Sequence, residues 1–288
     1  MRTEPICSRW GTIVLAEGKT PDSINRDEVL QLYKTRGVVL FRGFEFNTYA
    51  FQALTEQFTS DFRLHGNSTR EIISSDETVA TVSGGQEHFF AHSEHAFSPL
   101  RPDTAWFYCV TPAKSGGETT IYDGVEVLER LSEETRVLFN KKRIRFRTDG
   151  PEFCSRSELN RWVNTDGFSF ECDQDGRLHT TFVTSAIVKT KYTNSLAFAN
   201  SMLDQQQLYF EDGTLVPRAA VIDVLGTTER LAFPLSWQKN DVLMIDNTSF
   251  MHGRRSFRDR GRRILARFGM ERQCSANGTP NHSEICVV

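Results

Sequence analysis

Gly37-Val38-Val39-Leu40-Phe41-Arg42-Gly43-Phe44 is a β-branched and aromatic run bounded by glycine. That composition reads as a buried strand. Before it, Asp27 to Thr35 carries Val29, Leu30, Leu32 and Tyr33 at helical spacing. After it, Tyr49 to Phe58 carries Phe51, Leu54 and Phe58, and Asn47 or Thr48 supplies a cap. A helix–strand–helix layer over residues 1–60 therefore opens the chain.

Working outward, further strands are predicted at Thr104 to Val110, stopped by Thr111-Pro112, and at Glu118 to Tyr122. Arg143 to Thr148, Gly167 to Glu171 and Leu178 to Val183 follow, the last two joined by a hairpin turn at Asp173 to Gly176. Ser195 to Ala199, Asp241 to Ile245 and Arg263 to Phe268 complete the set. Val125 to Asn140 is helical with a break near Ser132, and Leu203 to Phe210 reads as a short helix. Many short strands with helices at the front and middle predict an α+β protein around a β-sandwich or barrel. A length of 288 residues allows two domains. No repeat, linker or composition break divides the chain, so one domain over 1–288 is expected. Its core would span about residues 80–272, with residues 273–288 a polar tail.

Composition narrows the function classes. With 34 Lys and Arg against 37 Asp and Glu, the formal charge is −3, which argues against a nucleic-acid partner. The six cysteines form no CxxC pair, which argues against a zinc ribbon and a dense disulfide framework. No apolar run approaches the roughly 20 residues of a membrane helix, and Met1 to Pro5 does not lead into a signal-peptide core. The expectation is a cytoplasmic protein with no membrane partner. Phe occurs 22 times, and Phe41, Phe44, Phe107, Phe168, Phe170 and Phe198 are expected in a dry interior.

Three of the seven histidines crowd one stretch, His88, His92 and His95, with Glu94 between the last two. On a strand, His92 and Glu94 would point to one side, so an imidazole and a carboxylate could take adjacent positions on a metal. His252, after the strand 241–245, is the best third ligand. Two histidines and one carboxylate on one face, with open positions opposite, form the triad of non-haem Fe(II) oxygenases. Downstream, Arg263 and Arg267 sit inside an apolar strand pattern, where a guanidinium needs an anionic partner. A dicarboxylate chelating iron at one end would offer its other end to such an arginine.

These features together resemble the taurine dioxygenase (TauD/TfdA-like) Fe(II)/2-oxoglutarate-dependent dioxygenases. The resemblance rests on Gly37 to Phe44, His92-Ser93-Glu94, Gly116 to Thr119, Trp237 to Asn247, His252-Gly253 and Arg263. It implies a double-stranded β-helix (jelly-roll, clavaminate synthase-like) core with flanking helices. It also implies that His92, Glu94 and His252 ligate iron. Thr119 would hydrogen-bond the distal carboxylate of 2-oxoglutarate and Arg263 would pair with it, with Arg267 as a second arginine nearby. O2 is then the co-oxidant and a small molecule the substrate. Glu replaces the usual Asp, as in a subgroup whose members oxidise free or carrier-bound amino acids in natural-product pathways. Because Glu94 fills the position that halogenases leave open, halogenation is disfavoured. Asn240-Asp241 replaces the common Gly-Asp, a change of turn only. His65, His88, His95 and Phe97 are candidates for the substrate pocket, and Asp246 for fixing the surroundings of His252. The expected reaction is hydroxylation of an unactivated C–H bond. Desaturation or cyclisation, a non-catalytic metal-binding jelly roll and a zinc hydrolase on the same ligands are the alternatives.

Overall fold

In the computed structural model, residues 1–64, 70–149, 159 and 162–272 are described. Two largely antiparallel sheets carry the architecture. The larger runs β1 (Arg2–Pro5), β2 (Thr12–Leu15), β3 (Val38–Arg42), β16 (Val242–Asp246), β7 (Thr104–Thr111), β18 (Arg263–Glu271) and β4 (Thr59–Ser60), with β5 (Ala80–Thr81) also paired to β18. The smaller runs β15 (Phe233–Leu235), β8 (Thr119–Asp123), β17 (Phe250–Arg254) and β6 (Phe89–His92). Spatial neighbours far apart in the chain, such as β3 with β16 and β8 with β17, make this a jelly roll. Two additions complete it: β10 (Phe168–Cys172), β11 (Leu178–Thr184), β9 (Ile144–Asp149) and β14 (Tyr209–Phe210) form one sheet, and β12 (Ile187–Lys189) pairs with β13 (Leu196–Phe198).

Strand alternation sorts the apolar side chains into layers. Along β7, Ala105, Phe107 and Cys109 join Leu243, Ile245, Ile264, Ala266 and Phe268 against Ile121, Leu235 and Phe250 of the smaller sheet. This is the interior between the sheets. Trp106 and Tyr108 point the other way and pack with Phe41, Met244 and Leu265 beneath α1 (Arg26–Arg36) and α2 (Thr48–Phe58). The outer face of the smaller sheet is covered by α3 (Gly124–Arg130), α4 (Glu133–Lys141) and α5 (Arg218–Leu231), around Tyr122, Phe139, Phe146, Phe198 and Phe210. Each such side chain contributes roughly 1.5–3 kcal/mol by leaving water.

The local signals act as read. Asn25 accepts the Asp27 and Glu28 amides to start α1, and Asn47 accepts the Ala50 amide to start α2. Gly37 ends α1 at φ 73°, in the left-handed region where glycine carries no penalty. Ser132 caps α4, which is why the helical stretch 125–140 breaks there. Asn240 adopts φ 68°, the left-handed turn usually left to glycine, and Asp241 behind it receives a two-pronged contact from Arg42 at 3.0 and 2.6 Å.

Several elements depart from the sequence reading, among them β1 and β2, which precede the first helix of the predicted helix–strand–helix layer. The stretch 203–210 is a short 3-10 turn, Met202–Asp204, followed by β14 rather than a helix. Helix α5 was not anticipated, because Val221, Val224, Gly226, Thr227 and Thr228 are weak helix formers that burial of Ala220, Val224, Thr227 and Thr228 overrides. Strand β17 was not anticipated, because Gly253 interrupts its apolar pattern. A Cβ at Gly253 would lie 2.5 Å from the Phe89 carbonyl oxygen and 2.8 Å from Thr120 Oγ1, so only glycine lets the neighbouring strands approach there.

Candidate active site

The site lies in the interior at the β6 edge of the smaller sheet. His252 on β17 stands directly opposite His92, the last residue of β6, with ring centroids 4.4 Å apart. Glu94 is not on the strand; β6 ends at His92, and Glu94 occupies the turn that follows. Its direction comes from a clamp rather than from strand alternation. The Asn247 side chain accepts the Glu94 amide at 2.7 Å and donates to the Glu94 carbonyl at 3.0 Å. Ser93, between the two ligands, donates its amide to Asn200 O at 3.0 Å and its hydroxyl to Phe250 O at 3.1 Å. The tripeptide is thus fixed by its backbone on both sides. Asp246 closes the turn before β17 by accepting from Thr248 and Ser249.

His92, Glu94 and His252 bring ligand atoms within 4.8 Å of one another. Glu94 Oε2 lies 3.5 Å from His252 Nε2 and 3.8 Å from His92 Nε2. His92 places Nδ1 2.8 Å from the Phe90 carbonyl; donating there commits the ring to a tautomer with the Nε2 lone pair facing the other two groups. Burial, with His92 alongside, pushes the His252 imidazole down to about 4, so it is neutral at ordinary pH, as a metal ligand must be. Burial alone would raise the Glu94 pKa, but Arg70 and His252 outweigh it and hold the group well below the usual carboxylate range. The donor set and its convergence fit a divalent metal.

The adjoining cavity is lined by Val82, Phe89, Phe107, Ile264 and Phe268 and carries the polar groups Thr119, Arg254 and Arg262. Thr119 pairs with Arg254 across β8 and β17, as Ile121 does with His252. Trp237 Nε1 donates to Thr119 Oγ1 at 3.0 Å, leaving the hydroxyl hydrogen to donate elsewhere. Arg262 uses Nε on the Gly117 carbonyl at 3.0 Å; its terminal nitrogens have no hydrogen bond among the described residues. Arg254 donates to Ser83 O and Glu87 O, and its buried Nε has no partner among the described residues. Phe257 lies between the two guanidinium groups, 5.2 Å from Arg254 and 5.1 Å from Arg262. Burial, and then Arg254, pull Arg262 down to about 10. Two desolvated arginines in one pocket, with no carboxylate partner among the described residues, are a site for an anion.

The structure does not bring Arg263 and Arg267 into this cavity. Arg263, Leu265 and Arg267 of β18 take the outer face and Ile264, Ala266 and Phe268 the inner one, while Arg262, just before the strand, lines the cavity. Arg263, whose side chain is 41% exposed, pairs with Glu71 through two contacts of 3.0 and 3.1 Å on the protein surface. Arg267 is 1% exposed but lies beneath α2, bound to Thr55, Glu56, Asp76 and Thr78. Both have the anionic partner that the apolar pattern demanded, and it is the protein's own.

Among the pocket candidates, His95 is half-buried, with Nε2 3.9 Å from Glu94 Oε1, and its ring packs 5.7 Å from Phe97. His88 faces Glu229 of α5 at 3.3 Å instead. His65 lies outside the described residues. Sequence reasoning missed Arg70, Asn247, Arg254 and Arg262. The two arginines were visible in the basic run after His252, but β18 carries apolar residues on both faces, so the pattern did not show which arginines turn inward.

A jelly roll holding two histidines and a carboxylate beside an anion pocket defines a non-haem oxygenase architecture. The sequence profile of the taurine catabolism dioxygenase TauD, TfdA family matches residues 2–268, and the chain belongs to that family of dioxygenase enzymes. A clavaminate synthase-like protein of Arabidopsis thaliana is 29% identical, with 80% of each chain covered. The dapdiamide synthesis protein DdaC of Enterobacter agglomerans is 28% identical, again over 80% of each chain. Among solved structures, PvcB of Pseudomonas aeruginosa superposes with a TM-score of 0.64 at 14% identity, covering 93% of this chain and 91% of that one. A taurine dioxygenase of Burkholderia xenovorans gives 0.63 at 14% identity, covering 94% and 90%. These two likenesses establish the fold. Among the described residues, no helix is long and apolar enough to cross a membrane.

Proposed function

We propose that this dioxygenase uses Fe(II) held by His92, Glu94 and His252, with 2-oxoglutarate and O2 as cosubstrates, to hydroxylate an unactivated C–H bond of a small carboxylate- or amino-acid-like substrate. The observation that carries the reading is Arg262, a half-buried, desolvated arginine with no carboxylate partner among the described residues, in the same cavity as the three ligands. Bound iron supplies the redox chemistry that couples decarboxylation of 2-oxoglutarate to oxidation of the substrate.

The remaining work belongs to the chain's own groups. Arg262 and Thr119 take the distal carboxylate, the hydroxyl of Thr119 turned toward it by Trp237. The rings of Phe89, Phe107 and Phe268 exclude water from the cavity. Three lining arginines, Arg70, Arg254 and Arg262, against one lining carboxylate, Glu94, favour anionic ligands on charge grounds. A biosynthetic role accords with the names of DdaC and of PvcB, the latter described as an oxygenase from an isonitrile synthetic pathway. Anaerobic addition of Fe(II) and 2-oxoglutarate should give a weak visible charge-transfer band, absent in His252→Ala. Absence of the band from the intact protein would sink the reading. Succinate release screened across amino acids and carboxylic acids then identifies the substrate class.

A further inference from the structure

The two oxygens of Glu94 have different surroundings. Oε2 faces both histidines, at 3.5 and 3.8 Å. Oε1 faces away from them, 3.2 Å from Arg70 Nη2 and 3.9 Å from His95 Nε2. Glutamate has one more rotatable bond than aspartate, so a glutamate ligand costs more side-chain entropy to order. Given the iron reading of the trio, we propose that Arg70 is the positioning residue of the Glu94 ligand, holding its outer oxygen so that the other alone faces the metal.

Arg70 is itself well placed for this task. Its guanidinium lies over the Phe268 ring, 5.4 Å from the centroid, on the inner face of β18. The next residue, Glu71, points to the outside. It exchanges backbone and side-chain hydrogen bonds with Thr81 of β5, and its carboxylate takes the two-pronged contact from Arg263. Ile72 then bridges to Ala80. Adjacent residues of one extended segment therefore face opposite ways. The exterior pair pins the segment that presents Arg70 to Glu94, which gives Arg263 a role that counting from His252 did not suggest.

The sign of the effect on metal binding tests the proposal. A cation beside a divalent-ion site opposes the ion, so on Coulomb grounds alone its removal tightens binding. If Arg70 positions the ligand, removal loosens binding instead, by about 10- to 100-fold for a partner of this kind. Co(II) titration of the purified chain, without 2-oxoglutarate and followed by calorimetry and by the visible d–d spectrum, reads both affinity and coordination. The expected results are weaker binding and an altered spectrum in Arg70→Gln. In the Glu94→Asp background, where the shorter carboxylate cannot span both partners, Arg70→Gln should change affinity less than about threefold. Arg70→Lys keeps the charge without the planar fork, and should weaken Co(II) binding even if Arg70→Gln does not fold. Unchanged or tighter binding in the variants, or an equal loss in the Glu94→Asp background, overturns the proposal. Failure of the intact protein to bind Co(II) would instead reject the metal reading on which it rests.

Discussion

Replacing Arg262 by methionine should separate the two arginine assignments for 2-oxoglutarate most directly. A hydrogen bond to a charged partner contributes about 1.5–3 kcal/mol, and removing one member of a desolvated charge pair costs roughly 2–5 kcal/mol because the other is stranded. Arg262 is desolvated and has no carboxylate partner among the described residues, so a bound distal carboxylate depends on it. The loss should be about 2–4 kcal/mol, roughly 30- to 1,000-fold in Kd. Arg263→Met removes the surface pair with Glu71, with side chains 41% and 60% exposed, which holds the Arg70 segment but makes no contact with the cavity. Such pairs contribute about 0–1 kcal/mol to stability, and 2-oxoglutarate affinity should change less than about threefold. The assay is an anaerobic titration of the protein saturated with Fe(II), following the charge-transfer band. A larger loss in Arg263→Met than in Arg262→Met would refute the placement of these side chains and restore the arginine found by counting.

Arg267→Met strands Glu56 and Asp76 beneath α2; both carboxylates are half exposed, so unfolding free energy should fall by about 2–4 kcal/mol while 2-oxoglutarate affinity is unchanged, read by denaturant melts and the same titration. Asn247→Ala removes both hydrogen bonds to the Glu94 backbone and should weaken Co(II) binding about tenfold or more; full retention of affinity would show that the clamp is dispensable. Burial alone would raise the Glu271 pKa, but contacts with Lys191 and Tyr192 bring it below the ordinary value. Its contribution to stability is therefore present above the unfolded-state pKa of about 4.3 and is lost as pH falls through the lower folded value. The melting-temperature gap between the protein and Glu271→Gln should be wide at pH 7 and close toward pH 3; a constant gap would contradict the ion-pair account.

Much of the fold was legible because its signals are local. Continuous β-branched and apolar runs marked β3, β7, β8 and β16, and Asn47 and Ser132 marked helix starts. The metal residues were legible as a combination, since His92-Ser93-Glu94 and His252 gain meaning only with the jelly roll that brings them together. What could not be read was decided by distant contacts. Helix α5 forms against its propensities because its buried face packs on the smaller sheet. Glu94 is aimed by Asn247, 153 residues away in the chain. The cosubstrate arginine depends on which face of β18 is inside, and Leu265 and Ile264 are equally apolar although one packs under the helices and the other lines the cavity.

The direct opposition of His92 and His252 across β6 and β17 has a consequence for how this chain tolerates changes in length. An insertion of one residue inside Phe250–Arg254 would turn His252 or Arg254 to the wrong side of its sheet, so the distance between these two must stay even. Residues 255–261, between β17 and Arg262, carry no such restriction. Added or deleted residues there alter the count from His252 to the cosubstrate arginine without moving the inner face of β18. Across related chains, strand parity is therefore a safer guide to that arginine than its numerical offset from the last histidine.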